Sequence, residues 1–217
     1  MTYRYVLFDL DGTMTDPFDG LSKSVIYSCE KMGIAPPPLV EIRKFIGPPL
    51  IHSYMSFLGF DETRAEQAIA CYREYYNEKG IYENSVYEGI PEVLDALKQA
   101  GVTLSVATSK PDHFADIVLR HFDLLKYFDH VEAVTTHNAA IEKEHLVRSV
   151  LEKYNVQGKS QAVMVGDRLY DLNGANANGI DSIGVLYGYG DLAEMRQYGA
   201  TYTAQTPQQI LKIILDQ

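Results

Sequence analysis

A short apolar run close to the amino terminus is followed at once by two aspartates and a glycine. Residues 6–8 (Val-Leu-Phe) have the character of a fully buried parallel strand. Asp9 stands where this strand would leave the sheet, and side-chain alternation places Asp11 on the same side as Asp9. Gly12 gives the backbone the freedom for a sharp exit. The sequence therefore predicts two carboxylates that face one point at the end of a buried strand.

Two carboxylates this close repel each other, which raises the pKa of each unless a cation or several hydrogen-bond donors lie between them. A divalent ion with oxygen ligands removes the repulsion, and Mg²⁺ typically takes one or two protein carboxylates together with phosphate oxygens and waters. The alternative is an acidic turn at a strand end, since Asp-Gly is a common turn signal. Such a turn would not require Thr13 and Asp16 as well.

Between residues 17 and 83 the apolar residues recur at helical spacing, and proline-rich turns at 36–38 and 47–49 separate the helices. No convincing strand interrupts this stretch, so it is predicted to be an all-helical insertion. The residues of its three apolar stripes are Leu21, Val25, Cys29 and Met32, then Leu50, Ile51, Tyr54, Met55 and Leu58, then Ala65, Ala68, Ile69, Tyr72 and Tyr76.

From about residue 84 onward helices and strands alternate, which is typical of a parallel sheet covered by helices on both faces. The predicted strands are 103–108, 131–134, 162–165 and 182–185. The fold class is therefore predicted to be α/β, with a Rossmann-like parallel sheet. Residues 1–16 and 84–217 would form the α/β core, and residues 17–83 a small helical domain inserted after the first strand.

Open parallel sheets bind ligands at the carboxyl ends of their strands, and Thr108 and Ser109 end one of the predicted strands. A hydroxyl with neighbouring backbone N–H groups can hold phosphate oxygens there. The alternative is a Ser/Thr turn before Pro111. Lys110 is expected to be a solvated surface lysine.

Lys143 lies in the first turn of a predicted helix, where a cation opposes the helix macrodipole. Such a position suggests contact with an anion. Further along, Asp167 follows a buried-type strand, and Asp171 comes four residues later. Four residues are about one helical turn, so both carboxylates can face the same point. The alternative is an N-cap aspartate followed by a surface aspartate.

The formal net charge of −10 argues against a nucleic-acid polymer or an anionic membrane as partner. It leaves room for a small phosphorylated metabolite, because a metal ion and a few cations can reverse the field inside one cleft. Cys29 and Cys71 are not in a metal-binding spacing and are expected to be buried, reduced thiols. No apolar run is long enough to span a bilayer and no signal peptide is recognised, so a cytoplasmic enzyme is expected.

The run Asp9-Leu-Asp11-Gly12-Thr13-Met-Thr-Asp16 resembles the first motif of the haloacid dehalogenase superfamily of phosphatases. Thr108, Lys143 and the Asp167/Asp171 pair are similar to its second, third and fourth motifs. Residues 17–83 resemble the helical cap that closes over the active site in this superfamily. The resemblance covers nearly the whole chain.

The resemblance implies a phosphatase mechanism in which Asp9 attacks phosphorus and Asp11 acts as general acid and then as general base. It implies Mg²⁺ bound by Asp9, the backbone carbonyl of Asp11, and Asp167, with Asp171 reaching the ion directly or through water. The residues implied in holding the phosphoryl group are Gly12, Thr108, Ser109 and Lys143.

The closest resemblance is to phosphoglycolate phosphatase-like and 5′-nucleotidase-like members, although Lys143 is followed by Glu144 where many phosphoglycolate phosphatases carry proline. A dehalogenase would not need Asp11. A sugar phosphomutase would carry arginine at position 50, where this chain has leucine. A phosphonate hydrolase would need a buried cap lysine, for which Lys23 and Lys44 are candidates. A catalytically idle regulatory protein is a further alternative, and the intact aspartate set argues against it.

Overall fold

The computed structural model describes residues 3–135, 142–157 and 159–215. The chain divides into two compact units. The first, here called the core unit, comprises Met1–Thr15 and Val86–Gln217; the second, the helical unit, comprises Asp16–Ser85. That the helical unit acts as a cap over an active site remains a prediction.

The strands, in chain order, are β1 (Tyr5–Phe8), β2 (Thr15–Asp16), β3 (Ser85–Val86), β4 (Thr103–Pro111), β5 (His130–Val134), β6 (Ala162–Gly166), β7 (Asp181–Val185) and β8 (Tyr202–Ala204). Six of them form one sheet in the order β5-β4-β1-β6-β7-β8, and every neighbouring pair is parallel. The predicted parallel α/β fold is confirmed. β8 was not predicted, because three residues are too few to show a periodic pattern.

The α-helices are α1 (Phe18–Lys31), α2 (Leu39–Ile42), α3 (Leu50–Leu58), α4 (Glu62–Tyr75), α5 (Ile90–Gln99), α6 (Asp112–His121), α7 (Lys143–Lys153), α8 (Leu169–Ala177), α9 (Leu192–Gln197) and α10 (Pro207–Leu215). Short 3₁₀ turns lie at Arg43–Phe45, Leu125–Tyr127 and Lys159–Gln161, and Tyr76–Gly80 is a π-helical turn. None of the described helices combines the length and the apolar character needed to cross a lipid bilayer.

The order of the strands places the end of β1 at the centre of the sheet. From β1 the chain moves outward through β4 to β5, then returns to the other side of β1 with β6 and continues through β7 to β8. Phe8, the last residue of β1, is in register with Val106 on one side and Val165 on the other. Ligands of open parallel sheets bind where the strand order reverses in this way.

An apolar core fastens α7 and α8 to the central strands. Its buried members are Leu7, Ala107, Val147, Val150, Ala162, Met164, Ala175 and Ile180. Complete burial of a valine or leucine side chain contributes about 1.5–3 kcal/mol. The packing of these residues therefore holds α7 and α8 against the central strands, with the first turns of both helices near the ends of β1 and β6. Lys143 and Asp171 lie in those first turns.

The helical unit has its own core, to which residues of all three apolar stripes contribute, although Met55 of the second stripe is 40% exposed. Val25, Cys29 and Tyr54 are completely or almost completely buried. The hydroxyls of Ser28 and Tyr54 share a hydrogen bond of 2.6 Å within it. Both cysteines are free thiols, and Cys29 is buried as expected. Cys71 is partly exposed, so the expectation that it is buried was wrong.

Candidate active site

Three aspartates from separate parts of the core unit meet at the ends of β1 and β6. One carboxylate oxygen from each of Asp9, Asp167 and Asp171 lies within 4.8 Å of the other two. Asp9 follows β1, and its backbone N–H donates to the carbonyl of Val165 in β6 at 2.9 Å. Asp167 is fully buried and Asp171 is 1% exposed. We call these three residues the carboxylate cluster.

Lys143 contacts two members of the carboxylate cluster. Its Nζ lies 2.6 Å from Oδ1 of Asp9 and 2.9 Å from Oδ1 of Asp171. It also donates to the backbone carbonyl of Ala107 in β4 at 2.8 Å. The buried ammonium therefore ties α7 to β1, to β4 and to α8 at one point.

Burial and neighbouring charges shift the pKa values of Asp167, Asp171 and Lys143. Burial raises the pKa of Asp167 well above its usual range, and the charges of Asp171 and Asp9 raise it further. Burial also raises the pKa of Asp171, which Lys143 partly offsets, so that it is about 6. Burial alone would lower the pKa of Lys143, but Asp171 and Asp9 outweigh it and the pKa is raised. Lys143 is thus protonated at neutral pH.

The carboxylate cluster fits a divalent cation. One ammonium for three carboxylates leaves two negative charges uncompensated when all three are ionised. The donors are all oxygens, which hard ions such as Mg²⁺ prefer. The side chain of Asp11 is not part of the cluster.

Asp11 is held instead by Lys110. The Nζ of Lys110 donates to Oδ2 of Asp11 at 2.7 Å. Oδ1 of Asp11 is buried and accepts no hydrogen bond from the residues that the structure describes. The prediction of a solvated Lys110 was wrong, since this residue is only 9% exposed. The reason is that β4 continues to Pro111, so alternation places Lys110 on the same side as Thr108.

Thr108 is buried and lies opposite β5, just before the register of that strand pair shifts. Its Oγ1 accepts a hydrogen bond from the backbone N–H of Lys110 at 3.2 Å. This local hydrogen bond is the one that the Ser/Thr-turn alternative expected. It uses the hydroxyl oxygen as an acceptor, so the hydroxyl can still donate its proton to a ligand. Ser109 is partly exposed.

Gly12 is needed for both its conformation and its small size. Its φ is 89°, and a Cβ at this position would overlap with the carboxylate of Asp167. The next residue, Thr13, donates from Oγ1 to Oδ1 of Asp167 at 3.3 Å. The loop after β1 thus contributes directly to the orientation of Asp167.

The proposed local alternative for Asp167 and Asp171 does not describe the structure. Arg168 is the N-cap residue of α8, and Asp171 is buried where a surface residue was the alternative. Oδ2 of Asp171 accepts from the backbone N–H of Arg168 at 3.1 Å, so it also helps to cap α8.

The sequence matches the model of the family described as "Haloacid dehalogenase-like hydrolase" over residues 6–185. The chain belongs to this family. It is 43% identical over 202 residues to a 5′-nucleotidase of Pseudomonas aeruginosa, covering 93% of this chain and 91% of the relative. A crystal structure of a predicted phosphatase from Clostridium acetobutylicum superimposes with a TM-score of 0.93 at 43% identity and covers 100% of both chains.

Another relative, tyrosine-protein kinase PtkA of Mycobacterium tuberculosis, is 37% identical over 187 residues. The match covers 86% of this chain but only 63% of the relative. The family, the 5′-nucleotidase and the predicted phosphatase identify the chain as a haloacid dehalogenase-like phosphatase, that is, a phosphoric monoester hydrolase.

In this haloacid dehalogenase-like phosphatase the loop after β7 also reaches the site, which sequence reasoning missed. The backbone N–H of Tyr189 donates to Oδ2 of Asp167 at 2.8 Å. A Cβ on Gly188 would overlap with the carbonyl of Gly12 and the side chain of Asp167. The sequence does contain a signal, since Gly188 and Gly190 come three and five residues after a predicted strand whose end lies at the ligand-binding edge.

Proposed function

We propose that this phosphatase is Mg²⁺-dependent and hydrolyses a small phosphomonoester metabolite through an aspartyl phosphate on Asp9. The observation that supports this most directly is the buried carboxylate cluster with Lys143 beside it. Buried carboxylates are costly unless a cation or hydrogen bonds compensate them. An idle regulatory protein would have no need to keep such a cluster.

Asp9, Asp167 and the backbone carbonyl of Asp11 would hold the ion, and Asp171 would hold it directly or through water. The bound ion supplies positive charge that cancels the repulsion between the Asp9 carboxylate and a phosphate dianion. Asp167 is already oriented for this task by the donors from Thr13 and Tyr189. Lys143 fixes Asp9 through one of its two oxygens, Oδ1.

In the first chemical step, an oxygen of Asp9 forms a bond to phosphorus while the bond from phosphorus to the leaving oxygen breaks. Protonated Asp11 gives its proton to the leaving oxygen. Lys110 donates to Oδ2 of Asp11, so its charge would stabilise the carboxylate that remains after this proton is given up. Thr108 and Lys143 would contact the equatorial oxygens of the phosphoryl group.

In the second step, Asp11 takes a proton from a water molecule whose oxygen attacks phosphorus. The bond between phosphorus and Asp9 breaks, so that inorganic phosphate is released and the Asp9 carboxylate is restored. Asp11 ends the cycle protonated, as it began.

Nucleoside monophosphates are the first substrate class to test, because the 5′-nucleotidase of Pseudomonas aeruginosa is 43% identical over nearly the whole chain. Phosphoglycolate is the second. A phosphonate hydrolase is disfavoured, since the side chains of Lys23 and Lys44 are 46% and 53% exposed and pair with Glu83 and Glu41. We do not propose tyrosine kinase activity for this chain, because the match to the tyrosine kinase PtkA covers only 63% of that relative.

The decisive experiment compares Asp9→Asn with Asp116→Asn, an exposed aspartate on α6 that pairs with Arg120. Phosphate release from an aryl phosphate, nucleoside monophosphates and phosphoglycolate is measured with Mg²⁺ and with excess chelator. Release should vanish in Asp9→Asn and in chelator, and should be unchanged in Asp116→Asn. Near-parental release by Asp9→Asn would overturn the mechanism, and release that persists in chelator would overturn the metal dependence.

A further inference from the structure

The segment that follows β7, residues 186–190, lies against the loop that carries the nucleophile. We call it the tyrosine loop. Its first residue, Leu186, donates its backbone N–H to the carbonyl of Ala204 in β8 at 2.8 Å. The base of the loop is therefore held by the edge of the sheet. None of the steps proposed above uses its side chains.

Tyr187 connects the tyrosine loop to the residues after Asp11. Its hydroxyl donates to the backbone carbonyl of Thr13 at 2.9 Å. Burial raises the pKa of Tyr187, and the nearby Tyr87 and Asp167 raise it further. The hydroxyl consequently keeps its proton and acts as a donor at neutral pH.

The ring of Tyr187 is held as well as its hydroxyl. It packs against the ring of Tyr87 with the centroids 4.9 Å apart and an interplanar angle of 62°. The backbone N–H of Tyr87 in turn donates to the carbonyl of Met14 at 3.1 Å. Tyr187 thus contacts two segments of the core unit that are themselves joined, residues 13–14 and residue 87.

Each oxygen of Asp167 accepts a hydrogen bond from one of the two segments that the Tyr187–Thr13 hydrogen bond connects. Oδ1 accepts from the hydroxyl of Thr13 at 3.3 Å, and Oδ2 accepts from the backbone N–H of Tyr189 at 2.8 Å. Tyr187 connects these two donors. It belongs to the same loop as Tyr189, and its hydroxyl donates to the backbone carbonyl of Thr13. The absence of a side chain on Gly188 allows the two backbones to approach this closely.

We propose that Tyr187 is a positioning residue for the metal site, whose hydroxyl holds Thr13 and the tyrosine loop in the arrangement that orients the carboxylate of Asp167. This inference rests on the proposed function, since it takes Asp167 to be a ligand of the ion. Residues that orient metal ligands from behind typically change metal affinity by about 10- to 100-fold when they are altered.

Tyr187→Phe tests the proposal, and Tyr3→Phe is the matched control. Tyr3 is a buried tyrosine of the same unit whose hydroxyl donates to Oδ2 of Asp181 at 2.8 Å. Asp181 begins β7, so Tyr3 lies at the opposite edge of the sheet from the carboxylate cluster. Each variant removes one buried hydroxyl, and Tyr3→Phe also removes a hydrogen bond to Tyr202, so the control disturbs at least as many hydrogen bonds as Tyr187→Phe.

The dissociation constant for Mg²⁺ is measured by calorimetric titration of the metal-free proteins without substrate. We expect Tyr187→Phe to weaken Mg²⁺ binding by about 10-fold and Tyr3→Phe to match the parent. Phosphate release by Tyr187→Phe should return close to the parental kcat at saturating Mg²⁺. Equal affinity of Tyr187→Phe and parent, or equal weakening in Tyr3→Phe, would overturn the positioning role. Absence of Mg²⁺ binding by the parent would instead overturn the proposed metal site.

A second pair of variants tests whether Tyr187 acts through Thr13, and it remains informative if Tyr187→Phe unfolds. Thr13→Val removes the hydroxyl that donates to Asp167, whereas Thr13→Ser keeps it. We expect weaker Mg²⁺ binding in the valine variant and near-parental binding in the serine variant. The Tyr187→Phe/Thr13→Val double variant should lose little more than Thr13→Val alone. Fully additive losses, or equal binding by the valine and serine variants, would contradict the proposal.

Discussion

Lys110 donates to Asp11 at 2.7 Å, and this ion pair joins two residues that are 99 positions apart in the chain. The side chain of Lys110 is 6% exposed and that of Asp11 is 23% exposed. Lysine therefore approaches the proposed acid–base carboxyl from the buried side. Its charge would stabilise the carboxylate that Asp11 becomes when it gives a proton to the leaving oxygen.

Replacing Lys110 with methionine should lower kcat for phosphate release without abolishing the fold. A hydrogen bond to a charged group is worth about 1.5–3 kcal/mol, which corresponds to about 10- to 100-fold in rate. Steady-state kinetics at saturating Mg²⁺ measures the effect. Lys98→Met, which breaks the more exposed pair with Asp129, serves as the control and should stay within about twofold of the parent. A parental kcat in Lys110→Met would refute this role.

Replacing Lys143 with methionine should strongly destabilise the core unit. Removing one partner of a buried ion pair costs about 3–5 kcal/mol, because the remaining charge has no compensation. Urea unfolding of the metal-free protein measures the loss. Lys126→Met, which breaks an exposed pair with Asp123, serves as the control and should leave the urea midpoint close to that of the parent. The loss in Lys143→Met should be larger at pH 8 than at pH 5, since burial raises the pKa of Asp171 and its freed carboxylate can take up a proton at the lower pH.

Asp167→Asn should make the metal-free protein more stable at neutral pH while it abolishes activity. Burial, Asp171 and Asp9 raise the pKa of Asp167 in the folded state, so its ionisation opposes folding as pH rises above its unfolded value. The asparagine oxygen can accept from Tyr189, and its NH₂ group can donate to the hydroxyl of Thr13. A gain of 1 kcal/mol would raise Tm by about 2–4 °C for a chain of this size.

Calorimetric scans in excess chelator at pH 4.5 and 7.5 check this expectation. The sign follows from linkage: a carboxyl whose pKa is raised on folding favours the folded state below its unfolded pKa and loses that contribution as pH rises through the folded value. The advantage of Asp167→Asn should therefore shrink toward pH 4.5. A variant that is less stable than the parent at pH 7.5 would show that the charge of Asp167 is compensated in the metal-free protein.

Gly12→Ala should cost more stability than Gly33→Ala, although both glycines have positive φ values of 89° and 70°. A left-handed conformation costs a non-glycine residue about 1–2 kcal/mol. Only at Gly12 would the added Cβ overlap with a neighbour, the Asp167 carboxylate, whereas nothing lies within 4 Å of that position at Gly33. Urea unfolding and Mg²⁺ titration measure both effects. Similar losses in the two variants would mean that the overlap is relieved at no cost.

Much of the site was predictable because it follows from local patterns. Asp9 and Asp167 stand directly after or close to the end of apolar strands, and Asp171 follows Asp167 by one helical turn. Their placement at one edge of the sheet was predictable, whereas their proximity also required β1 and β6 to be neighbours. Lys143 was placed in the first turn of a helix, where the structure has it. Lys110 was misjudged because the strand was expected to end at residue 108, three residues before β4 ends.

The sequence by itself determined the parallel sheet with its alternating helices and the carboxylates at the strand ends, since apolar periodicity and the position of a residue relative to a strand end are local properties. Only the tertiary structure decided which groups hold those carboxylates. Thr13 contacts Asp167 across 154 positions, and Tyr187 contacts Thr13 across 174. Such pairs depend on which strands lie side by side and on where glycines let two loops approach, and a periodic pattern in one stretch of chain carries no information about either.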